Sequence, residues 1–277
     1  MAFTGTRQGA EQAVAGRREA GFAAGLARSP AFWRLLSVAL VLGLWEIAGQ
    51  IPVNWAFPPF SRVFLAFLRM IADGSLPLAY LDTLQPLAIG IVISGVVGVG
   101  LGVAMGLRAD VAWVATPLFV VMQAAPMAAL IPMITFIYGI GLTSKVLAVC
   151  VLALPVIVLN AYKAVRNVNP SLIAMSRSFL GSRWQEITRI VLPDASPMIF
   201  AGLRLGIAAG FIGIVLAELL ITPTGIGDLI TYNRSVAKYP EMYATIASII
   251  VFAAVVVGLL LRLETALFRP ERRGQAS

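Results

Sequence analysis

The sequence predicts an all-α, polytopic membrane protein with about six transmembrane helices, on the basis of its composition and its apolar stretches. Of the 277 residues, 59% are hydrophobic and 12% are charged, whereas about a quarter of the residues in a soluble domain are charged. The chain therefore has too little polar surface to cover a water-soluble protein of this size. Six stretches reach or approach the roughly 20 apolar residues that a helix needs to cross a bilayer. They are Phe32–Ile51, Leu84–Leu107, Trp113–Tyr138, Lys145–Tyr162, Pro197–Ile221 and Met242–Arg262.

The region before the first stretch is rich in Ala, Gly and Arg and has no apolar run long enough for the core of a signal peptide. No A-x-A-like cleavage site follows the first stretch, so we interpret it as a retained helix. The predicted organisation is a disordered cytoplasmic tail (1–30), the first transmembrane helix with an extracytoplasmic segment (31–80), a core transmembrane domain (81–265) and a cytoplasmic tail (266–277). A short helix is expected around Arg62–Ala72.

The second stretch carries glycines at every fourth position, namely Gly98, Gly102 and Gly106. This spacing lets helices approach closely. It predicts helix packing, either within the chain or between subunits.

The third stretch is interrupted by prolines. No charged residue lies between Asp110 and Lys145, a distance too long for one helix and too short for two, so we expect a break at Gly139–Gly141. Broken helices at membrane depth are tolerated where they are buried or line a cavity. This stretch is therefore the candidate wall of a translocation pathway, and simple kinks are the alternative. The candidate wall residues are Gln123, Pro126 and Pro132.

Away from the ends of the predicted spans, three ionisable residues lie within them, namely Glu46, Arg204 and Glu218. Charge is costly there and indicates function by default. Arg204 and Glu218 are 14 residues apart, roughly 21 Å along one helix at 1.5 Å per residue, and cannot pair directly within it. Arg204 can extend its charge to the cytoplasmic interface, and Glu46 is expected at an interface. A lone acid is a poor ligand for an anion, so we assign Glu218 to structure or gating.

The distribution of Lys and Arg predicts the orientation. Six spans place both termini on one side of the membrane. If that side is the cytoplasm, it holds 15 of the 21 cationic residues and the outer side holds five, as expected for cytoplasmic loops. The net charge of +8 is thus explained by topology, and no nucleic-acid partner is expected.

The chain has few of the residue types that catalyse reactions or bind metal ions. The chain has no histidine and one cysteine, Cys150, which excludes histidine-based catalysis, haem ligation and most zinc or iron sites. It also lacks the G-x-x-x-x-G-K-[ST] pattern that cradles nucleotide phosphates. We expect no catalytic residue, no metal and no cofactor, and hence no enzyme.

The one substantial cytoplasmic loop, residues 163–194, begins with a helix signal. Asn169 followed by Pro170 reads as an N-cap and a proline at the first helical position. The spacing of Leu172, Met175 and Phe179 predicts an apolar stripe on that helix. Such a stripe needs a partner, because water disfavours it by about 25 cal/mol per Å². The alternative is that it folds back on the spans of the chain itself or lies on the lipid interface.

A tight turn and a second short helix are expected after this stripe. Gly181 is positioned for a left-handed C-terminal turn. Ser182 with Gln185 three residues later is a capping-box pattern. Pro193 is expected to end the second helix.

Residues 174–184, continuing to Pro193, resemble the cytoplasmic EAA loop of ATP-binding cassette (ABC) importer permeases. That signature reads E-A-A, three residues, Gly, nine residues, then I-x-L-P. Ile190, Leu192 and Pro193 match it, whereas Ala174 stands at the glutamate and Leu180 at the glycine, with Gly181 one residue later.

The resemblance covers roughly residues 40–265. Features placed as in this family are residues 201–204, Glu218 and residues 225–227. Features similar to its nitrate/sulfonate/taurine branch are residues 45–46, 58–63, 125–132 and 138–139.

The resemblance implies a type I ABC importer permease (MetI-like) fold in the inner membrane and transport of a small anion such as nitrate, a sulfonate or taurine. It implies an ABC ATPase subunit, an extracytoplasmic solute-binding protein, a second permease copy and membrane lipid as partners. The first loop helix would dock in a cleft of the ATPase, and Arg177 and Arg183 would be available to acidic groups there. The residues implied in this coupling are Pro170, Leu172, Ile173, Met175, Ser176, Arg177, Phe179, Leu180, Gly181 and Arg183. A secondary transporter or channel is the alternative, and a membrane enzyme is a more remote one.

Overall fold

The computed structural model describes residues 30–51 and 56–268, which form helices and no strand. The predicted tail over residues 1–30 and most of the tail over 266–277 lie outside these residues. Five of the described helices are long and apolar enough to cross a membrane, and a bent helix pair makes a sixth. The prediction of about six spans is confirmed.

The helices follow one another with short connections. In chain order they are α1 (Pro30–Gln50), α2 (Phe60–Ala72), α3 (Ser75–Leu107), α4 (Ala109–Ala124), α5 (Met127–Tyr138), α6 (Leu142–Arg166), α7 (Pro170–Ser178), α8 (Arg183–Glu186), a π-helical stretch (Ile187–Val191), α9 (Leu192–Leu220), α10 (Ile226–Ser235) and α11 (Tyr239–Phe268).

Helix α3 begins nine residues before the predicted Leu84. The Asp73 carboxylate accepts the Ser75 backbone N–H at 2.9 Å, and the connecting Gly74 has φ +80°. This hydrogen bond stabilises the carboxylate and lowers the pKa of Asp73. The predicted start of this span at Leu84 is too late because the first turns of α3 carry polar residues.

The chain divides into two compact units, residues 1–65 and 66–277. In the first unit, Glu46 of α1 accepts hydrogen bonds from the Ser61 backbone N–H at 2.8 Å and from the Ser61 hydroxyl at 3.0 Å. Glu46 thereby satisfies a free backbone donor at the start of α2.

In the second unit, α6 packs between glycine-rich faces of α3 and α9. A Cβ atom added at Gly98 would lie 2.8 Å from Ile157, and one added at Gly102 would lie 2.5 Å from the Cβ of Ala161. Gly206 of α9 contacts Ile157 in the same close manner. The predicted glycine series thus faces α6 of the same chain, where side chains would prevent this approach.

The third apolar stretch is broken at two places. Helices α4 and α5 are bent by 105° relative to each other, and the break lies at Ala125 and Pro126, whereas the other prolines lie inside helices. Gly139 and Gly141, with φ of +79° and +154°, separate α5 from α6. The break predicted at these glycines is confirmed.

Candidate coupling loop and buried ion-pair cluster

Helix α7 starts where its sequence signal predicts. The side chain of Asn169 accepts the backbone N–H of Ser171 at 2.9 Å, and Pro170 occupies the first turn. The asparagine satisfies one of the free N–H groups at the helix start, and the proline lacks an N–H at a position where none is required.

The turn after α7 differs from the prediction. The left-handed residue is Leu180, with φ +56°, and not Gly181. The Gly181 N–H donates to the Ser176 carbonyl at 2.9 Å and the Leu180 N–H donates to the Arg177 carbonyl at 3.0 Å, which together form a Schellman motif. A Cβ atom at Gly181 would lie 2.6 Å from the Ser176 hydroxyl oxygen. Gly181 is therefore needed for close approach, while Leu180 has the conformation usually given to glycine.

The capping box that follows is confirmed. The Gln185 N–H donates to the Ser182 hydroxyl at 3.3 Å, and the Ser182 N–H donates to the Gln185 side chain at 2.9 Å. Both partners thus satisfy free backbone donors at the start of α8.

The prediction that Pro193 ends the second loop helix is wrong. Helix α8 continues through the π-helical stretch into α9, which gives one helical run over Arg183–Leu220. At the end of the π-helical stretch the Leu192 N–H donates to the Ile187 carbonyl, five residues back. The wider turn just before Pro193 accommodates its ring and its missing N–H.

The apolar residues of the loop differ in exposure, since some pack against the chain and others face outward. Ile173 packs against a buried cluster that includes Val165, Val168 and Val191, so one side of α7 is fixed to the chain's own helices, and Leu172 is half-buried. The other large apolar side chains of the loop face outward. These exposed loop residues, with their exposed fractions, are Met175 (50%), Phe179 (81%), Leu180 (93%) and Trp184 (72%).

Arg177 finds its acidic partner within the loop. Its guanidinium binds the Glu186 carboxylate through two hydrogen bonds of 3.2 and 3.3 Å, and the hydrogen bond to Glu186 raises the pKa of Arg177. The pair connects α7 to α8. Arg183 remains exposed, so it is the better placed of the two arginines to meet another protein.

Glu218, near the end of α9, is not the lone acid that the sequence reading assumed. Its side chain is fully buried and lies 2.9 Å from Nζ of Lys145, which is 5% exposed and sits in the first turn of α6. The ammonium also donates to the carbonyl and the hydroxyl oxygen of Thr224, each at 3.0 Å. All three donors of Lys145 therefore have an acceptor.

Glu218 also caps helix α10. Its carboxylate accepts the Gly227 N–H at 3.1 Å and the Thr83 hydroxyl at 2.9 Å, and the Thr83 oxygen in turn accepts the Ile226 N–H at 3.0 Å. Negative charge is favourable at this end of a helix. Gly225 has φ +97°, and a Cβ atom there would overlap the carboxylate. We call Thr83, Lys145, Glu218 and Thr224 the Glu218 cluster.

The remaining predicted site residues have different surroundings. The candidate wall residues Gln123, Pro126 and Pro132 are exposed, whereas Glu218 is buried. Arg204 is paired with Glu264 of α11 at 3.2 Å, and so the sequence reading missed its partner. That pair joins α9 to α11.

The fold and these sites define a class of protein: a polytopic membrane protein that carries a loop with exposed apolar side chains. Residues 95–274 match the family model described as "Binding-protein-dependent transport system inner membrane component". The chain belongs to this family, so it is a multi-pass inner membrane transport component and not an enzyme. Membership implies an ATPase and a substrate-binding protein as partners.

Three curated relatives are ABC importer permeases. A putative aliphatic sulfonates permease, SsuC of Bacillus subtilis, is 26% identical over 224 residues, 80% of each chain. The taurine permease TauC of Escherichia coli is 28% identical over 225 residues, 79% of this chain and 80% of TauC. The nitrate import permease NrtB of Synechocystis is 30% identical over 212 residues, 72% of this chain and 76% of NrtB.

Solved structures support the fold. A chain of the MetNI methionine ABC transporter superposes with a TM-score of 0.60 at 18% identity, covering 68% of this chain and 94% of that one. The MetI-like fold implied by the loop resemblance is confirmed.

Proposed function

We propose that this chain forms the pathway of an importer for a small anion such as nitrate, a sulfonate or taurine, and is driven by a separate ATPase through residues 169–193. The proposal of the solute class rests on relatives named for sulfonate, taurine and nitrate transport. No cluster of cationic side chains is buried among the described span residues, so charge selection is assigned to the solute-binding protein.

One observation carries the coupling role: the exposed loop residues lie on α7, in the turn after it and at Trp184, where a continuous helical run begins. Four large apolar side chains face outward there although Ile173 anchors the same loop inward. An apolar surface of this kind indicates a protein partner. Because Ala174 replaces the acidic residue of the family signature and Arg177 is already paired, apolar contact and Arg183 supply the docking.

The working unit is proposed to contain two copies of the chain in lipid, with both termini in the cytoplasm. A few helices expose apolar side chains widely, for example Trp113 (81%) and Phe136 (91%) on α4 and α5, and these require lipid or a second copy. Gln123, Pro126 and Pro132 on the same helices remain the proposed pathway wall. The burial of Lys145 against Glu218 removes one of the free cations counted on the outer side, which strengthens the charge asymmetry.

The coupling role is tested by adding a charge to the exposed loop residues. Phe179→Asp or Met175→Asp is expected to abolish ATP-driven uptake by the reconstituted complex, because a buried unpaired carboxylate opposes docking. Ser171→Asp is the matched control, since it adds the same charge to an exposed residue in the first turn of α7, where it is favourable. Wild-type uptake and wild-type co-purification of the ATPase with Phe179→Asp would refute the docking role.

A further inference from the structure

The Glu218 cluster and the coupling loop are the two ends of one helical run. The run from Arg183 to Leu220 has 38 residues, roughly 57 Å at 1.5 Å per residue. The hydrocarbon core of a bilayer is about 30 Å thick. Glu218 therefore lies on the side of the membrane opposite the loop, whichever side that is.

At that far end the run is held by groups from three other elements. Lys145 belongs to α6, Thr83 to α3, and Thr224 lies in the connection that enters α10. This connection directly follows α9. A displacement of the run therefore first changes the contacts that hold the start of α10.

The chemistry of the cluster differs from that of ordinary packing. Replacing a buried ion pair by neutral groups of similar volume is often neutral or favourable for stability, so such a pair is weak support for a stabilising role. This pair instead belongs to a network of five directional bonds. Two run from Lys145 to Thr224 in the connection that enters α10, one joins Thr83 to Glu218, and two are accepted from the N–H groups of Ile226 and Gly227 at the start of α10. Directional bonds of this kind are lost together when the helix shifts.

We propose that Lys145, Glu218 and Thr83 are positioning residues that hold α10 in the arrangement described here and release it when the ATPase moves the coupling loop. This inference rests on the proposed function. Helix α10 continues into α11, and α11 is tied to the run by Arg204 and Glu264. Release at Glu218 therefore frees the start of α10 while Arg204 and Glu264 keep α9 and α11 connected.

The test uses a buried thiol as a reporter in the complex of the full chain with its ATPase in lipid nanodiscs. With Cys150→Ala as background, Ile226→Cys places the thiol on the first residue of α10, whose side chain is 0% exposed and makes no polar contact in the cluster. Ser94→Cys on α3 is the matched control, because it is equally buried and lies outside the cluster. Both are exposed to a membrane-impermeant methanethiosulfonate, with and without Mg-ATP and vanadate.

One nucleotide state is expected to raise the labelling rate of Ile226→Cys by about tenfold or more, since labelling of a buried group follows its open population. Ser94→Cys should stay unlabelled in both states. Adding Lys145→Met and Glu218→Gln should make Ile226→Cys reactive without nucleotide, while the thermal unfolding temperature of the complex stays near that of the parent.

Equal labelling of Ile226→Cys in both states would overturn the inference. So would a neutral double variant that leaves the labelling unchanged, or one that only lowers the unfolding temperature. Co-purification of the ATPase and uptake by the parent complex, measured on the same samples, report on the proposed function separately. A parent that transports but shows no change in labelling refutes the positioning role alone.

Discussion

The substitution Gly225→Ala tests how closely the Glu218 cluster is packed. The residue has φ +97°, and an added Cβ atom would overlap the Glu218 carboxylate. With ψ −173° this is a backbone conformation that essentially only glycine adopts, and it costs another residue roughly 1–3 kcal/mol. Displacing one partner of a buried ion pair costs about 3–5 kcal/mol.

Together these terms amount to about 4–8 kcal/mol, a large part of the 5–15 kcal/mol by which folded proteins are typically stable. We expect Gly225→Ala to lower the thermal unfolding temperature of the purified protein strongly and to reduce its amount in the membrane. Gly258→Ala is the matched control, since nothing lies within 4 Å of a Cβ atom added there. Equal unfolding temperatures for the two variants would refute the close packing around Glu218.

Two further outcomes are expected, one for the turn at Leu180 and one for the ion pair of Arg204 and Glu264. Leu180→Gly should stabilise the turn after α7 by about 1 kcal/mol, because it removes a left-handed non-glycine residue, and slower hydrogen exchange of the loop amides would report it; faster exchange would contradict the assignment. Arg204→Leu leaves the half-buried Glu264 without its cation, so Arg204→Leu with Glu264→Leu should unfold at a higher temperature than Arg204→Leu alone. Additive losses in the double variant would argue against the pair.

Local signals predicted local structure well. Asn169 and Pro170 mark the start of α7, Ser182 and Gln185 form the expected capping box, and the glycines after Tyr138 break the chain where expected. Each of these signals acts over a few residues and through the backbone. Sequence spacing is sufficient in such cases because the interacting groups are neighbours in the chain.

The contacts of the ionisable residues could not be predicted in the same way. Lys145 and Glu218 are 73 residues apart, and Arg204 and Glu264 are 60 apart. Only the packing of α6, α9 and α11 brings them together, and the packing of α9 on α6 depends on glycines whose partners are distant in the chain. One signal was present, namely Gly225 and Gly227 soon after a membrane carboxylate, a pattern that allows a backbone to wrap around an acid.

Glu46 and Glu218 have a common role that explains why acids occur in such apolar helices. Each caps the start of the helix that follows its own span: Glu46 accepts the Ser61 N–H of α2, and Glu218 accepts the Gly227 N–H of α10. The Gly227 donor is buried, so no water satisfies it, whereas the Ser61 donor is exposed and its cap only adds to what water can supply. A carboxylate at the end of one span therefore fixes where the next short helix begins.

At Leu180 this chain departs from the family signature in residue type. The signature's glycine position is occupied by leucine, yet the backbone there is left-handed and a Schellman motif ends α7. Leucine thus adopts at this position a conformation that glycine adopts more readily. The conformational cost is borne by Leu180, whose side chain is 93% exposed, and it places a large apolar group on the surface offered to a partner. A glycine there would relieve the strain but remove that group, so the departure from the signature is consistent with docking through apolar contact in a loop that has lost the signature's glutamate.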